Sequence, residues 1–286
     1  MDDLKARAAV LVEALPYLRQ WAGSTMVVKY GGAAMVSDEH KRSVAQDLVL
    51  LQHVGVRPVV VHGGGPRISE LMARLGKEPV FVDGQRVTDT ETMEIVQMVL
   101  VGLIGQDLVT HIYQAGGKAV TVSGRDGRTL VACKKGHATM DLGHVGEIAQ
   151  VNTELIKRLS EAGYLVVVST IGMGDDGMAY NINADTAAGE IAAALGAEKL
   201  IVLSDVPGLL RDPEDESTLV TTLKLAEARA LLESGEVSGG MRPKVEACVR
   251  AVSEGVPRAH LLDGRLHHSI LTELFTDRGV GTMIER

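Results

Sequence analysis

Residues 57–66 read Arg-Pro-Val-Val-Val-His-Gly-Gly-Gly-Pro, an apolar run followed by three glycines and a proline. The run Val59–Val61 is continuous and β-branched, which is typical of a strand buried on both faces of a parallel sheet. Pro66 suits the start of a helix, and apolar residues recur at helical spacing through residues 68–75. The stretch therefore predicts a strand, a glycine loop and a helix in succession, which is the building unit of an α/β fold.

Apolar runs of the same kind recur along the chain, at residues 26–28, 119–122, 165–168, 200–203 and 259–262. Helical patterns lie between them, at residues 38–54, 184–195 and 243–254. This alternation predicts a three-layer α/β/α sandwich around a mainly parallel central sheet. Two β-hairpins are expected in addition, at residues 79–87 around Asp83-Gly84 and within residues 118–151.

The composition disfavours binding to nucleic acid or to a membrane. The 286 residues carry 29 basic and 37 acidic side chains, a formal charge of −8, with one Trp, five Tyr and two Phe. Cys133 and Cys248 form no paired motif, and neither a signal peptide nor a membrane-length apolar run is evident, so we expect a cytoplasmic protein. His and Cys have no zinc-site spacing, and we expect no metal held by protein side chains.

Residues 1–24 form a separate unit ahead of the first strand. The apolar side chains of a predicted helix over residues 1–21 share one face: Leu4, Ala8, Leu11, Leu15 and Leu18. Two interpretations stay open for this helix. It packs on its own subunit, or it is an oligomerisation arm.

Two glycine loops are candidates for an anion site. Lys29 ends an apolar strand, and Gly31 and Gly32 after it leave backbone N–H groups open to close approach. Gly63, Gly64 and Gly65 follow a second strand and precede a helix, where unpaired N–H groups and the helix dipole attract anions. Both loops are expected at the carboxyl edge of the sheet, where ligands bind in such folds.

Polar residues cluster before the Ala-rich helix at residues 184–195. One helix cap needs one side chain, yet Asn181, Asn183 and Asp185 are all present. Asn181 and Asn183 alternate with Ile182, so they are expected on one face of an extended segment. That face would meet the glycine loops.

Lys244 is the second candidate cation. Pro243 predicts a helix start after Gly239-Gly240, which puts Lys244 in the first turn, where a cation is unfavourable unless an anion is bound. Two lysines, glycine loops and one Asp suit phosphoryl transfer, in which positioning and electrostatic stabilisation do most of the catalysis. A non-catalytic anion-binding module is the alternative.

Residues 172–177 match the pattern GxGxxG after a strand. We reject a dinucleotide site here, because no helix is expected to begin at this point and because Asp175 and Asp176 would repel a pyrophosphate. The stretch predicts a solvent-facing turn.

Seven motifs in order resemble the amino acid kinase family, and among its members those that phosphorylate N-acetyl-L-glutamate are most similar. The motifs are Val28–Gly32, Val61–Pro66, Gly84–Thr88, Leu142–Glu147, Asn181–Asp185, Leu203–Gly208 and Gly239–Lys244. The resemblance implies a lobe for the amino-acid substrate over residues 25–197, which also forms a dimer, and a lobe for ATP over residues 198–286. It implies transfer of the ATP γ-phosphoryl group to the side-chain carboxylate of N-acetyl-L-glutamate in arginine biosynthesis, with Mg²⁺ held mainly by the nucleotide.

The resemblance also implies roles for individual residues. Lys29 and Lys244 would be catalytic cations, and Asp185 would hold both in place. The remaining assignments fall into three groups: phosphate binding by Gly31, Gly32, Gly63 and Gly64; substrate binding by Gly64, Gly65, Arg86, Asn181 and Asn183; nucleotide binding by Ser204, Asp205, Gly240, Met241 and Lys244.

Regulation by L-arginine is a further implication. Arginine-inhibited members of the family carry an N-terminal helix and form hexamers, as trimers of dimers, and four residues match positions associated with their arginine site: Tyr17, His260, Glu273 and Gly279. Two alternatives to this reading stay open. One is a kinase of N-acetyl-aminoadipate or of a carrier-linked homologue, since one methylene gives only ~1–3 kcal/mol of discrimination. The other is a catalytically silent arginine sensor.

Overall fold

A central eight-stranded sheet organises the computed structural model, which describes residues 2–35, 37–276 and 279–286. All six predicted apolar runs are strands of this sheet. Its strands are β1 (Thr25–Tyr30), β2 (Arg57–His62), β5 (Ala119–Ser123), β8 (Leu165–Ser169), β11 (Lys199–Ser204), β12 (Thr222–Lys224), β13 (Arg258–Asp263) and β14 (Thr282–Glu285). The spatial order is β12-β14-β13-β11-β1-β2-β8-β5. Only β13 and β14 pair antiparallel, so the mainly parallel sheet is confirmed.

Helices cover both faces of the sheet. They are α1 (Asp2–Trp21), α2 (Asp38–His53), α3 (Gly65–Arg74), α4 (Thr90–Gln97), α5 (Gly105–Gln114), α6 (Glu154–Glu161), α7 (Ala184–Leu195), α8 (Leu225–Ser234), α9 (Met241–Ser253) and α10 (Ser269–Leu274). Alternate residues of β1 enter separate cores: Val27 packs with residues of α7 and α9, whereas Val28 packs with residues of α2 and α5. The three-layer sandwich predicted from the sequence is therefore confirmed.

Two small sheets stand beside the main one. The hairpin expected at residues 79–87 is present as β3 (Phe81–Val82) and β4 (Gln85–Arg86). The hairpin expected within residues 118–151 is shorter than predicted, because residues 119–123 belong to the main sheet. It consists of β6 (Leu130–Lys134) and β7 (Gly146–Val151), and it joins β9 (Ile171–Met173) and β10 (Ala179–Asn181) in a four-stranded sheet.

Two helix boundaries bear on the sequence predictions. Pro243 is the third residue of α9 rather than the first, since the helix begins at Met241 with Gly240 as its cap. The solvent-facing turn predicted at residues 172–177 is shorter than expected: Gly172 and Met173 belong to β9, and residues 175–178 are the exposed part of its turn into β10. The side chains of Leu4, Ala8 and Leu11 lie outside the described residues, and on the described part of α1 Leu15 is exposed.

The chain is helical throughout residues 90–114, where α4 and α5 are joined by a π-helical segment, Met98–Ile104. In the described part of the chain, this is the one stretch long and apolar enough to cross a membrane by length and composition. Leu100, Ile104 and Leu108 on it are buried inside the protein. We therefore assign it as a helix that packs against the protein core.

Close approach of α7 and α9 depends on Gly189. A Cβ atom at this position would lie 2.8 Å from the backbone oxygen of Ala247, on the facing helix. Glu190, the next residue, forms an ion pair with Arg250 of α9 at 2.9 Å. The contact matters for the site because Asp185 is on the first turn of α7 and Lys244 is on the first turns of α9.

We expect Gly189→Ala to destabilise the protein by about 1–3 kcal/mol, because the added methyl group must push against backbone. Helix propensity alone would stabilise the variant by roughly 1 kcal/mol, so the sign of the effect separates packing from propensity. Ala194→Gly at an exposed position of the same helix is the control and should cost roughly 1 kcal/mol. Urea unfolding measures both. A stabilised Gly189→Ala variant would contradict the close packing of α7 on α9.

Candidate active site

A buried ion pair lies at the carboxyl edge of the sheet. Lys29, near the end of the central strand β1, places its Nζ 2.9 Å from Oδ1 of Asp185 on the first turn of α7. Both side chains are less than a tenth exposed. The strand register places Lys29 between Val61 of β2 and Val202 of β11, so its backbone is fixed on both sides.

The predicted glycine loops surround this pair. Gly31, Gly32, Gly63, Gly64 and Gly65 all line the same cavity as Lys29 and Asp185. Gly32 has φ +59°, a left-handed conformation that glycine adopts without strain. A Cβ at Gly64 would lie 2.4 Å from Cδ1 of Ile104 and 2.7 Å from Cδ2 of Leu100, so a larger residue there would require these two side chains to move.

Arg86 borders the opposite side of the cavity. Its Nη2 donates to the Gly65 oxygen at 2.9 Å and to Oγ of Ser69 at 2.7 Å, and its guanidinium lies 4.7 Å from the ring centroid of Phe81. Burial lowers the pKa of Arg86 from its usual value. The contacts hold a half-desolvated cation in one orientation beside the glycine loop, which suits recognition of a carboxylate.

Asn181 and Asn183 also line this cavity, as predicted, but their side chains form different hydrogen bonds. Nδ2 of Asn181 donates to Oγ1 of Thr88 at 3.3 Å. Oδ1 of Asn183 accepts from the backbone N–H groups of Asp185 and Thr186, so this residue is the cap of α7. By fixing the first turn of α7, the cap fixes the position of Asp185.

The cavity has a volume of about 490 Å³ and contains residues that the sequence analysis missed. Lys135 is the residue after β6, and Glu147 belongs to β7. Phe81 reaches the cavity from the β3–β4 hairpin. Both hairpins were predicted, but not that they face the glycine loops. Long-range packing, which the sequence pattern does not encode, brings them there.

The second lysine is not at the ion pair. Nζ of Lys244 donates to the Gly240 oxygen at 2.9 Å, one helical turn earlier on α9, and the side chain does not contact Asp185. Ser204, at the end of β11, is buried, and its Oγ donates to Oδ1 of Asp205 at 3.2 Å. Met241 is partly buried beside Gly240. The structure therefore brings Lys29 and Asp185 together and leaves Lys244 turned toward its own helix.

A cavity of about 570 Å³ lies in the C-terminal lobe, and none of the residues predicted to bind the nucleotide is among those that line it. Its lining is largely apolar and comes from the segment after Asp205, from β12 and from α8: Leu209, Leu210, Val220, Leu223, Leu231 and Val237 are among its residues. The sequence analysis did not identify it, since none of these residues carries a motif. Its walls suit a flat, apolar-faced group.

A third cavity, of about 530 Å³, contains all four residues predicted for an arginine site. Oε1 of Glu273 lies 2.7 Å from Nδ1 of His260, and Oε2 accepts from the backbone N–H of Val280 at 2.7 Å. Gly279 is needed there, because a Cβ would lie 2.8 Å from Oε2 of Glu273. Tyr17 reaches the cavity from α1, with its ring 6.4 Å from that of Phe275.

Lys199 and Trp21 complete this cavity and were missed. Nζ of Lys199 lies 2.9 Å from Nε2 of His260 and 4.8 Å from the centroid of the Trp21 ring. Burial, together with the charge of Arg258, lowers the pKa of Lys199 to about 8. Burial also lowers the pKa of His260, so this imidazole is neutral and can accept from Lys199 while donating to Glu273.

Among the described residues, no three His, Cys, Asp or Glu side chains are grouped so that they could hold a metal ion. The first cavity is lined by the glycine loops, by three cations (Lys29, Arg86 and Lys135) and by three carboxylates (Glu147, Asp185 and Glu190). The cations and the glycine loops are the parts of it that suit an anion.

Comparison with known proteins identifies relatives along nearly the whole chain. The model of the amino acid kinase family matches residues 24–263. Acetylglutamate kinase from Thermoanaerobacter sp. (strain X514) is 53% identical over 282 residues, which are 99% of this chain and 94% of that protein. Acetylglutamate kinase from Thermosynechococcus vestitus is 55% identical over 278 residues, which are 97% of this chain and 94% of that protein.

Solved structures share the architecture. N-acetylglutamate synthase from Neisseria gonorrhoeae, in complex with coenzyme A and N-acetyl-glutamate, is similar with a TM-score of 0.86 and 30% identity; the match covers 98% of this chain and 63% of the synthase chain. The synthase in complex with coenzyme A and L-arginine is similar with a TM-score of 0.83 and 29% identity. This match covers 97% of this chain and 65% of the synthase chain. Giardia carbamate kinase has the same fold, with a TM-score of 0.69 at 19% identity over 93% of this chain and 99% of its own.

The depressed pKa of Lys199 predicts a pH-dependent stability. In the unfolded chain Lys199 titrates near its ordinary 10.5, and in the folded protein near 8. Between these values the unfolded state binds more protons, so the free energy of unfolding rises with pH. We expect the stability of the wild type to rise from pH 8 to 10 relative to that of Lys199→Met, in urea unfolding. Parallel curves for the two proteins would show that Lys199 is charged throughout.

Proposed function

The chain belongs to the amino acid kinase family and phosphorylates N-acetyl-L-glutamate in arginine biosynthesis, and we propose that Lys29, Lys244 and Asp185 carry out this transfer. The observation that carries the assignment is the Lys29–Asp185 ion pair, enclosed by two glycine loops at the carboxyl edge of the sheet. The N–H of Gly63 donates to the Tyr30 oxygen at 3.2 Å, so the N–H groups of Gly32 and Gly64, together with Lys29, are proposed to stabilise charge on a transferring phosphoryl group.

The reaction needs charge stabilisation rather than a base. The side-chain carboxyl group of N-acetyl-L-glutamate, with a pKa near 4.3 as in Glu, is already ionised at neutral pH, so no proton has to be removed before attack. One carboxylate oxygen forms a bond to the γ-phosphorus while the bond from that phosphorus to the β–γ bridging oxygen breaks, and ADP leaves with the electron pair. Two anions must approach each other, and Lys29 with the N–H groups of Gly32 and Gly64 offsets their repulsion.

Lys244 is proposed to act from the nucleotide side. Its ammonium group donates to the Gly240 oxygen in a solvent-exposed hydrogen bond. Bound phosphates would attract it from that carbonyl toward the β–γ bridging region, where the leaving oxygen gains charge. The close packing of α7 and α9 at Gly189 keeps Lys244 within the same region as Asp185.

The nucleotide is proposed to bind in the C-terminal lobe, residues 198–286. The apolar cavity lined by Val220 and Val237 would hold the adenine ring, and Ser204, Asp205, Gly240 and Met241 would surround the ribose and phosphates. The family uses ATP. Mg²⁺ is proposed to enter with the nucleotide as part of the MgATP substrate.

The amino-acid substrate is proposed to bind in the N-terminal lobe, residues 25–197. Arg86 and Asn181 would bind its α-carboxylate region, while Gly64 and Gly65 approach it closely because they lack side chains. Asn183 would contribute through its remaining amide group, since its oxygen caps α7.

A substrate panel tests the proposal. We expect ADP release with acetylglutamate well above that with acetyl-aminoadipate, aspartate or glutamate. Higher activity with acetyl-aminoadipate would support a kinase of the longer homologue instead. ADP release with none of them, beside arginine binding, would indicate a silent arginine sensor.

Arginine binding and oligomerisation are proposed for the third cavity and for α1. Glu273 offers a carboxylate suited to a guanidinium group, and Lys199 a cation suited to a carboxylate, on the two sides of the His260 ring in one cavity. The arginine-bound synthase has the same fold. Val10 and Val12 on α1 are exposed apolar residues, which a second subunit would cover in a hexamer built as a trimer of dimers.

Two further features fit this assembly and its place in the cell. Exposed Met98 and Leu103 on the helix of residues 90–114 are proposed to form the contact within each dimer.

Cys133 and Cys248 are free thiols, and we propose a cytoplasmic location, where thiols stay reduced.

We expect Lys29→Ala and Lys244→Ala each to lower kcat by roughly 10³-fold, because one cation beside a transferring phosphoryl group has an effect of that order. Lys224→Ala, which removes an exposed lysine paired with Glu285, is the control and should be close to wild type. Circular dichroism should show all three folded. Near wild-type turnover in Lys29→Ala or Lys244→Ala would refute the assigned roles.

We expect Arg86→Lys to raise the KM for acetylglutamate far more than the KM for ATP. Lysine keeps the charge but loses the planar pair of donors that a carboxylate accepts from. Initial-rate kinetics with each substrate varied in turn give both constants. Equal changes in the two KM values would place Arg86 outside the amino-acid pocket.

We expect removal of residues 1–13 to give an active dimer with weakened arginine inhibition. The cut keeps Tyr17 and Trp21, because Trp21 is buried in the core and its Nε1 donates to the Leu274 oxygen. Light scattering measures the oligomeric state of the truncated protein, and inhibition curves with L-arginine measure its sensitivity to arginine. A truncated protein that is still hexameric and fully arginine-sensitive would show that α1 packs only on its own subunit.

A further inference from the structure

His62 ends the strand β2 immediately before the glycine loop, and no step of the proposed reaction uses it. Its side chain is fully buried. Nδ1 lies 3.1 Å from the backbone oxygen of Gly63, whereas Nε2 has no hydrogen-bond partner among the described residues. A buried polar atom without a partner costs about 1–3 kcal/mol, so the retention of this imidazole calls for a reason.

The bond from His62 fixes one peptide plane. The Gly63 oxygen and the Gly64 N–H belong to the same peptide unit, which is trans, so they point in opposite directions. Holding the oxygen toward the buried imidazole turns the Gly64 N–H away from it, toward the cavity that Gly64 shares with Lys29. Without this bond, rotation of the peptide would place an oxygen, which repels phosphate, where the N–H should be.

The surroundings hold the ring in place. Gly105, the first residue after the π-helical segment, faces Nε2, and a Cβ there would lie 3.6 Å from it. Leu100 and Ile104 of that segment lie against Gly64. Burial lowers the pKa of His62 to about 4, so the ring is neutral and has only one N–H to donate. Only the tautomer with hydrogen on Nδ1 can donate to Gly63.

We propose that His62 is a positioning residue for phosphoryl transfer, which donates from Nδ1 to the Gly63 oxygen and so aims the Gly64 N–H at the transferring phosphoryl group. The inference rests on the proposed role of Gly64. It predicts that His62 affects turnover more than the binding of either substrate in the ground state.

Two amides of different length test the role of Nδ1. The amide nitrogen in His62→Asn lies as many bonds from Cα as Nδ1, whereas in His62→Gln it lies as many bonds away as Nε2. Both variants remove the ring. We expect His62→Gln to lower kcat by roughly 10²-fold with little change in either KM, since a misdirected N–H donor has effects of that order. We expect His62→Asn to have a kcat roughly tenfold higher than that of His62→Gln. Equal kcat values in two folded variants would overturn the proposal.

The tautomer is a readout that does not depend on any variant folding. In protein labelled with ¹⁵N at histidine, the His62 ring should show hydrogen on Nδ1 and a bare Nε2, at neutral pH and without substrates. Hydrogen on Nε2 would overturn the proposal even if both variants were unfolded.

The outcomes also separate this inference from the proposed function. A wild type without kinase activity on acetylglutamate, beside a His62 that carries hydrogen on Nδ1, would refute the proposed function and leave the peptide geometry standing. An active wild type with His62→Gln and His62→Asn equally active would refute the role of His62 alone.

Discussion

The attraction between Lys29 and Asp185 is the constraint around which this protein is arranged. Two charges that are less than a tenth exposed must stay together, because either one alone would be buried without compensation. Their separation of 2.9 Å is set by two independent elements, the middle strand of the sheet and the first turn of α7. The pair therefore requires a rigid sheet on one side and a firmly capped helix on the other.

The surrounding structure meets both requirements. The strand is fixed by parallel neighbours on each side, and the helix is fixed by the Asn183 cap and by close packing on α9 through Gly189. One negative charge then faces Lys29 while Arg86 lies across the cavity without an acid partner at hydrogen-bond distance among the described residues. Arg86 is therefore the cation of this cavity that is left to pair with an incoming anion, as a kinase of a carboxylate requires.

The sequence was sufficient for six of the eight strands of the main sheet and for the glycine loops. Each is encoded locally: a continuous apolar run predicts a buried strand, and the residues at its carboxyl end share one edge in a parallel sheet. Thus Lys29 and Gly63–Gly65 could be placed together before any coordinates. The pairing of Lys29 with Asp185 was expected only from the family resemblance, which also placed Lys244 at Asp185, whereas Lys244 donates to the Gly240 oxygen.

Other features could not be derived in this way because they depend on distant contacts. Lys199 precedes an apolar run and has the pattern of an exposed strand start, yet Trp21 and His260 bury it. Lys244 belongs to a recognisable sequence motif. The motif does not determine where its side chain points, and in the structure the ammonium group donates to the Gly240 oxygen. The split of residues 118–151 between two sheets depends on β9 and β10, which follow later in the chain.

The position of Trp21 has a practical consequence. It is the only tryptophan in the sequence, and its indole lies at the wall of the third cavity, beneath the ammonium group of Lys199, whereas the glycine loops line a different cavity. Indole emission responds to nearby charge and to water, so the intrinsic fluorescence of the protein originates from this one location. The molecule thus carries a built-in optical reporter for whatever enters that cavity, and no dye or engineered label is needed to follow its occupancy in solution.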